Sequence, residues 1–215
     1  MHMEDFFSGT ALELVKRSAA GDVAGVGRSV AAGVSSNAPG EAGMTPLIWT
    51  AFIAQNKPGT QALLQHGADP NQASENRVTP MELAAQAKDI EYLRLFLKFN
   101  GNPNLRNATG EEPLIFSAAY ENNWEHVWLL ITSGADINAH TPLNKTTMLL
   151  AAKLNHYEQV YKLLQRGADY RLKTPLGESV PGYTFGEDLE KGSDNQVWQQ
   201  KCRDWFREHG VAGDG

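Results

Sequence analysis

The 215-residue sequence contains a single cysteine, Cys202. An intrachain disulfide, a zinc site built on several cysteines and a thioredoxin-like cysteine pair are therefore excluded. The sequence also lacks any run of 18 or more apolar residues, the length from which a membrane-spanning helix is recognised. Its amino terminus carries neither the basic nor the apolar segment of a secretory signal. We expect a fold that is held by packing alone and that does not insert into a membrane.

An excess of positive charge is lacking as well, since 25 acidic residues stand against 19 basic ones and the net charge is -6. Proteins whose main task is to bind nucleic acid carry clustered positive charge. The composition therefore argues against a nucleic-acid partner and favours a neutral or basic one. Apolar residues make up 41% of the chain, a content typical of globular proteins, and this excludes disorder over the whole length.

Motifs of catalytic or cofactor-binding sites are also missing, including GxSxG, HExxH, the Walker loop and the dinucleotide-binding glycine fingerprint. The six histidines are dispersed, and no two of them stand at metal-ligand spacing on one helix. Cys202 lies among aromatic residues, which predicts a buried and inert thiol. Because site chemistry needs several convergent groups, we predict that the protein is not an enzyme and holds no cofactor or metal.

What the sequence does contain is one phrase, typified by His66-Gly67-Ala68-Asp69-Pro70-Asn71, that recurs five times. The glycines of the five phrases are separated by 34, 34, 33 and 33 residues. A period of this size predicts stacked structural repeats. The five glycines are Gly33, Gly67, Gly101, Gly134 and Gly167.

A second recurring phrase predicts where the first helix of each repeat begins. Proline suits the first turn of a helix, and a threonine before it can cap the exposed amides. The four phrases begin Thr45-Pro46, Thr79-Pro80, Glu112-Pro113 and Thr146-Thr147. The second helix of each repeat shows the apolar spacing of a buried stripe, as in Val160, Leu163 and Leu164, and ends at the recurring glycine.

This order of helix, turn, helix, glycine and turn resembles the ankyrin repeat over roughly residues 10–180. The resemblance implies an all-α solenoid with short β-turn or hairpin tips, made of about five repeats and capping segments. We predict one domain, with a repeat stack at 4–180 whose units lie at about 4–37, 38–71, 72–104, 105–138 and 139–171. An irregular segment and a capping helix, which begins at Asp194 or Asn195, follow within 172–210 of the same domain.

In ankyrin proteins the tips and the inner side of the first helices form a concave surface that binds partners. Carried onto this chain, the resemblance implies a partner-binding surface of tip and inner helical residues. Large aromatic side chains at such positions are typical binding anchors, although packing between repeats is the alternative for them. The tip residues are Glu41, Met44, Glu75, Asn76, Arg106, Glu111, His140 and Lys145, and the inner helical residues are Phe52, Gln86, Tyr120 and Lys153.

Several stretches differ from a generic ankyrin repeat: 37–49, 154–157 and 167–170, together with the opening Asp5-Phe6-Phe7. They resemble bacterial ankyrin proteins encoded beside phospholipase D-type effectors of type VI secretion. The resemblance implies an immunity protein, monomeric when free, that binds the phospholipase toxin and covers its active site. It also implies a periplasmic location and often a lipid anchor.

Two alternatives stay open. One is an adaptor or accessory protein that stabilises a bacterial enzyme, for instance in oxidative-stress defence, and the other is a host-directed ankyrin effector. The start Met1-His2-Met3 is typical of a cloning remnant, so a natural leader or lipid anchor could have been removed. We therefore expect the periplasm, with the cytoplasm as the alternative.

Overall fold

The computed structural model describes residues 2–212, so Met1 of the expected cloning remnant lies outside the described residues. Within this range the chain is helical, with isolated β-bridges at loop tips and no extended strand, as expected. The α-helices are α1 (Gly9–Ala19), α2 (Val23–Ala31), α3 (Pro46–Ile48), α4 (Lys57–Gln65), α5 (Pro80–Gln86), α6 (Ile90–Lys98), α7 (Leu114–Tyr120), α8 (Trp124–Thr132), α9 (Thr147–Lys153), α10 (Tyr157–Gln165), α11 (Val180–Thr184) and α12 (Asp194–Glu208). Short 3-10 helices lie at Met3–Asp5 and Glu41–Gly43, and a π-helical turn, Trp49–Ile53, continues α3.

The described residues divide into two compact units whose boundary falls between Gly110 and Glu111. The N-terminal unit contains α1 to α6, and the C-terminal unit contains α7 to α12. In each unit consecutive helices pack as pairs, and small and aliphatic residues are fully buried. The division into repeats given above stays a prediction.

The first helices begin where the threonines predict. The hydroxyl oxygen of Thr45 accepts a hydrogen bond from the amide of Ile48 at 3.1 Å, and Thr146 caps α9 in the same way. These bonds satisfy amides that have no partner within the helix. At α7, Pro113 takes the N-cap position, and no side chain caps the helix there.

The second helices end in a left-handed residue, which is glycine in four of the five phrases: Gly33, Gly67, Gly134 and Gly167. In the third phrase this residue is Asn100, with φ of 65°. The glycine spacing predicts Gly101 instead, and that prediction is wrong. Gly101 stands where three of the other phrases have alanine, namely Ala68, Ala135 and Ala168. A Cβ on Gly101 would meet the Met81 sulfur and lie 2.8 Å from the Phe96 carbonyl oxygen, so glycine is needed here for close approach.

Asparagines join successive repeats within the N-terminal unit. The Asn37 side chain donates to the Gly67 carbonyl and accepts from the Asp69 amide, both at 2.8 Å. Asn71 makes the same pair of bonds to Asn100 and Asn102. Each asparagine side chain thus bonds to one backbone carbonyl and one backbone amide of the next phrase. We call this arrangement the asparagine bracket.

The π-helical turn accommodates one extra residue in the second repeat. The Ala54 amide donates to the Trp49 carbonyl at 2.9 Å, which closes the wide turn. As a result Phe52 is half-buried, with its ring 5.5 Å from that of Tyr92, and Ile53 is the exposed residue at the end of this helix.

The segment expected to be irregular between 177 and 192 contains a short helix, α11. The hydroxyl of Ser179 accepts from the Gly182 amide at 3.0 Å, and Pro181 occupies the first turn, so the segment begins like the earlier repeats. The start of α11 differs from the recurring phrase, because serine replaces threonine and the proline is shifted by one position. The final helix α12 begins at Asp194 as expected, and Cys202 is buried against α10.

Candidate partner-binding groove

In the N-terminal unit the predicted partner-binding residues do not form one site. Phe52 packs against the rings of Tyr92 and Phe96, and Met44 packs against the cluster of Phe7, Val15 and Trp49. Most of their surface is therefore used in packing between helices. The other five are exposed at loop tips or helix ends: Glu41, Glu75, Asn76, Gln86 and Arg106.

The half-buried ring of Phe52 also lines a shallow cleft of about 510 Å³ in the N-terminal unit. The cleft lies at the turns between first and second helices. The ammonium of Lys57 is 2.7 Å from a carboxylate oxygen of Asp89 and 5.7 Å from the ring centre of Tyr92. The charged residues of this cleft thus include the ion pair of Lys57 and Asp89. Among the residues that line the cleft, Phe52 alone belongs to the predicted partner-binding set.

In the C-terminal unit four predicted residues come together around a groove of about 590 Å³: Glu111, Tyr120, Lys145 and Lys153. The floor is apolar, since Phe116 and Leu149 lie there with 4% exposure each. The remaining predicted residue of this unit, His140, is not part of the groove lining, and its Nδ1 donates to the Thr141 carbonyl at 2.9 Å.

Three large side chains around the groove are exposed. Tyr120 is 69% exposed, Leu143 is 53% exposed and Leu154 is 47% exposed. Large apolar groups gathered at a concave site are a feature of binding surfaces. We call the lining of this pocket, including these three residues, the apolar groove.

Local sequence explains how the apolar groove is built. The tip at 141–145 is a tight turn in which the Thr141 amide donates to the Lys145 carbonyl at 3.0 Å, and Asn144 adopts the left-handed conformation. Because the turn is closed in this way, Leu143 projects at its end while Lys145 stands at its base. Buried Ala119 and Ala152 leave room for α7 and α9 to pack closely, so that Tyr120 lies at the end of the groove floor.

The charged side of the groove is organised by Glu178. Its carboxylate accepts from the Lys153 ammonium at 2.7 Å and from the Tyr183 hydroxyl at 2.6 Å. These two hydrogen bonds hold the pKa of Glu178 at about 2, against its ordinary value of 4.5. The same carboxylate raises the pKa of Lys153, and burial is the main cause that raises the pKa of Tyr183.

Lys145 differs from Lys153. It is half-buried, and within the described residues its ammonium forms no ion pair. Glu178, which the sequence analysis did not select, stands directly before the cap Ser179, just as Lys145 stands directly before the cap Thr146. That shared position is the signal that could have identified it.

Between residues 2 and 212 no group of three or more histidine, cysteine, aspartate and glutamate residues is placed to hold a metal ion. In the same range no helix is both long enough and apolar enough to cross a bilayer. The pKa of Cys202 is raised to about 12 by burial, which keeps the thiol protonated.

Comparison with known families identifies the repeats. A model of three ankyrin repeats matches residues 81–174, and a model of a single ankyrin repeat matches residues 42–75. The chain is an ankyrin repeat protein. Ankyrin repeats are protein-protein interaction modules, and membership of this family therefore implies a protein partner.

Several curated relatives share part of the ankyrin repeat region. Protein PhlB of Serratia liquefaciens is 36% identical over 116 residues, which cover 54% of this chain and 50% of that protein. The putative ankyrin repeat protein FPV024 of Fowlpox virus is 29% identical over 105 residues, covering 46% and 18%. Inversin of Gallus gallus is 32% identical over 80 residues, covering 37% and 7%. The match thus spans half the length of the bacterial relative and less of the others.

Proposed function

We propose that this ankyrin repeat protein is an immunity protein that binds a phospholipase D-type toxin of type VI secretion and covers its active site. The observation that carries partner binding is the apolar groove, where Tyr120, Leu143 and Leu154 are exposed around an apolar floor. Covering these side chains with a partner surface removes apolar area from water, which favours association.

The shape of the groove favours a protruding loop of the partner over a flat surface. A pocket of about 590 Å³ has the volume of a small-ligand site, enough to accept one or two side chains of a loop. Tyr120 supplies a large, mostly apolar ring with a polar hydroxyl, the kind of side chain that carries binding energy at interfaces. If the loop borders the toxin's active-site cleft, holding it keeps lipid out.

The choice of a phospholipase toxin rests on sequence. It is supported by the resemblance of 37–49, 154–157 and 167–170, with Asp5-Phe6-Phe7, to immunity proteins of this type. The periplasmic location and the monomeric free state belong to the same proposal.

The direct test is to mix the purified protein with the product of the neighbouring gene, and to measure complex formation by calorimetry and lipase activity on phospholipid vesicles. We expect a tight one-to-one complex and loss of lipase activity at equimolar ratio. Full activity in the presence of a saturating complex would contradict the immunity role and favour the accessory role. Absence of any complex would contradict both.

A matched pair of variants tests whether the groove is the contact surface. We expect Leu143→Ser to weaken the complex, because Leu143 lies on the groove. Leu176→Ser is the control, since Leu176 is 89% exposed but is not part of the groove lining. Equal effects of the two substitutions would place the contact elsewhere.

A further inference from the structure

We propose that the apolar groove selects a partner segment that combines an apolar side chain with a carboxylate, and that Lys145 receives the carboxylate. The inference depends on the proposed function only in requiring that a protein segment occupies the groove. It specifies the chemistry of that segment, which neither the ankyrin fold nor the net charge of the chain provides.

Five charged residues line the wall of the apolar groove, namely Glu111, Glu112, Lys145, Lys153 and Glu178. Lys153 and Glu178 neutralise each other at 2.7 Å. Glu111 and Glu112 take part in interactions of their own. Lys145 is thus the wall cation whose ammonium has no ion pair within residues 2–212.

The position of Lys145 makes its charge important for binding. The side chain is already half-buried at the base of the 141–145 turn, beside the apolar floor. A segment that fills the groove removes more water from this ammonium, and an ammonium that loses water without gaining an anion opposes binding. A segment that brings a carboxylate replaces the lost water with a charge-assisted hydrogen bond.

The floor and rim of the apolar groove explain why the partner segment must carry an apolar side chain. Phe116 and Leu149 form a surface on which a polar side chain would lose its water without finding a partner. Tyr120 and Leu143 extend this surface to the rim. A leucine- or phenylalanine-sized side chain next to an acidic residue satisfies both demands at once.

The sequence composition favoured a neutral or basic partner because the net charge is -6. The groove leads to a different local expectation, since its acidic residues already have interactions and its half-buried lysine has no ion pair. Charge complementarity at the point of contact governs specificity more than the charge of the whole molecule does.

The probe for the test is a random twelve-residue peptide library displayed on phage, selected against the full chain. We expect the enriched peptides to share an aliphatic or aromatic residue adjacent to Asp or Glu. An enriched peptide is then synthesised with both ends capped, so that no terminal charge contributes, and its affinity is measured by fluorescence anisotropy. Failure to enrich any peptide, or enrichment of basic peptides, would overturn the inference.

Charge exchange gives the decisive measurement. We expect Lys145→Glu to weaken binding of the acidic peptide by about tenfold or more, and a peptide with Lys in place of the acid to regain affinity for this variant. Lys191→Glu is the control, because it makes the same charge change at an exposed site that is not part of the groove lining. Equal weakening by both variants, or no recovery on exchange, would overturn the assignment to Lys145.

The proposed function can survive failure of this inference. If Tyr120→Ala abolishes peptide binding while Lys145→Glu does not change it, the groove binds a partner without selecting a carboxylate. If neither substitution changes the binding, the groove is not the contact surface and this inference fails, while the complex and lipase measurements with the toxin still decide the immunity role. Circular dichroism melting of each variant confirms that the fold is retained.

Discussion

The ends of the first helices differ between the two units of the protein. In the N-terminal unit the π-helical turn directs Phe52 onto Tyr92 and Phe96, so its ring is used in packing. In the C-terminal unit α7 is a regular helix, and its last residue, Tyr120, is 69% exposed beside the apolar groove. Two aromatic residues that look equivalent in the sequence therefore have different roles, because one inserted residue turns the end of a helix.

The largest expected effect is on stability. We expect Phe52→Ala to lower the free energy of unfolding by about 2–3 kcal/mol, because it removes a half-buried ring from a packed cluster. Tyr120→Ala should change it by less than about 0.5 kcal/mol, as expected for an exposed side chain. Urea unfolding of the two variants measures both values. Similar losses would break the comparison between the units.

Binding should show the opposite order. We expect Tyr120→Ala to weaken the partner complex by about 2 kcal/mol, roughly thirtyfold, if the ring anchors the partner. Phe52→Ala should leave the affinity of the folded protein nearly unchanged. Calorimetric titration at a temperature where both variants are folded provides the measurement. A larger loss for Phe52→Ala would move the binding surface to the N-terminal unit.

A smaller effect is expected at the third phrase, where Gly101 takes the position of Ala68, Ala135 and Ala168 in three other phrases. Gly101→Ala should destabilise the protein by about 1.5 kcal/mol, because the added methyl group meets Met81 and the Phe96 carbonyl. Combining it with Met81→Ala should remove the part of this cost that comes from the methionine. Thermal melting of the single and double variants tests this, and a stabilised single variant would contradict the packing argument.

The smallest expected effect is pH-dependent and confined to the C-terminal unit. The pKa of Glu178 is lowered from 4.5 to about 2 by Lys153 and Tyr183. A lowered pKa means that the stabilisation is present above pH 4.5 and is lost as the pH falls toward 2. The melting temperature of the native protein should therefore fall toward that of Glu178→Gln between these values. A constant difference over this range would show that the ion pair does not contribute.

Much of the fold follows from local rules that the sequence displays directly. Thr45 and Thr146 cap their helices, and left-handed glycines such as Gly33 and Gly167 end them, because each feature depends on one residue and its nearest backbone groups. The prediction is wrong at Gly101, because the period was counted on the glycines and the left-handed residue in that phrase is Asn100. It also missed α11, whose start depends on Ser179.

The candidate site was less predictable. Tyr120, Lys145 and Lys153 could be selected from their positions in the repeat, and they line one groove. The sequence left open whether Phe52 packs between repeats or contacts a partner, because the phrase spacing does not reveal the π-helical turn that positions its ring. The pairing of Lys153 with Glu178 was missed as well, because the segment that carries Glu178 was expected to be irregular.

The asparagine bracket has a consequence for where the array of repeats ends. Asn37 and Asn71 each bond to the phrase that follows, but the fifth phrase has Arg171 at this position. Its guanidinium turns back to Asp169 of its own phrase, at 2.8 Å. The series of asparagine brackets therefore stops at Arg171, and the last helix pair is held to α10 by other contacts, including the hydrogen bonds that Tyr183 and Cys202 make with Tyr157.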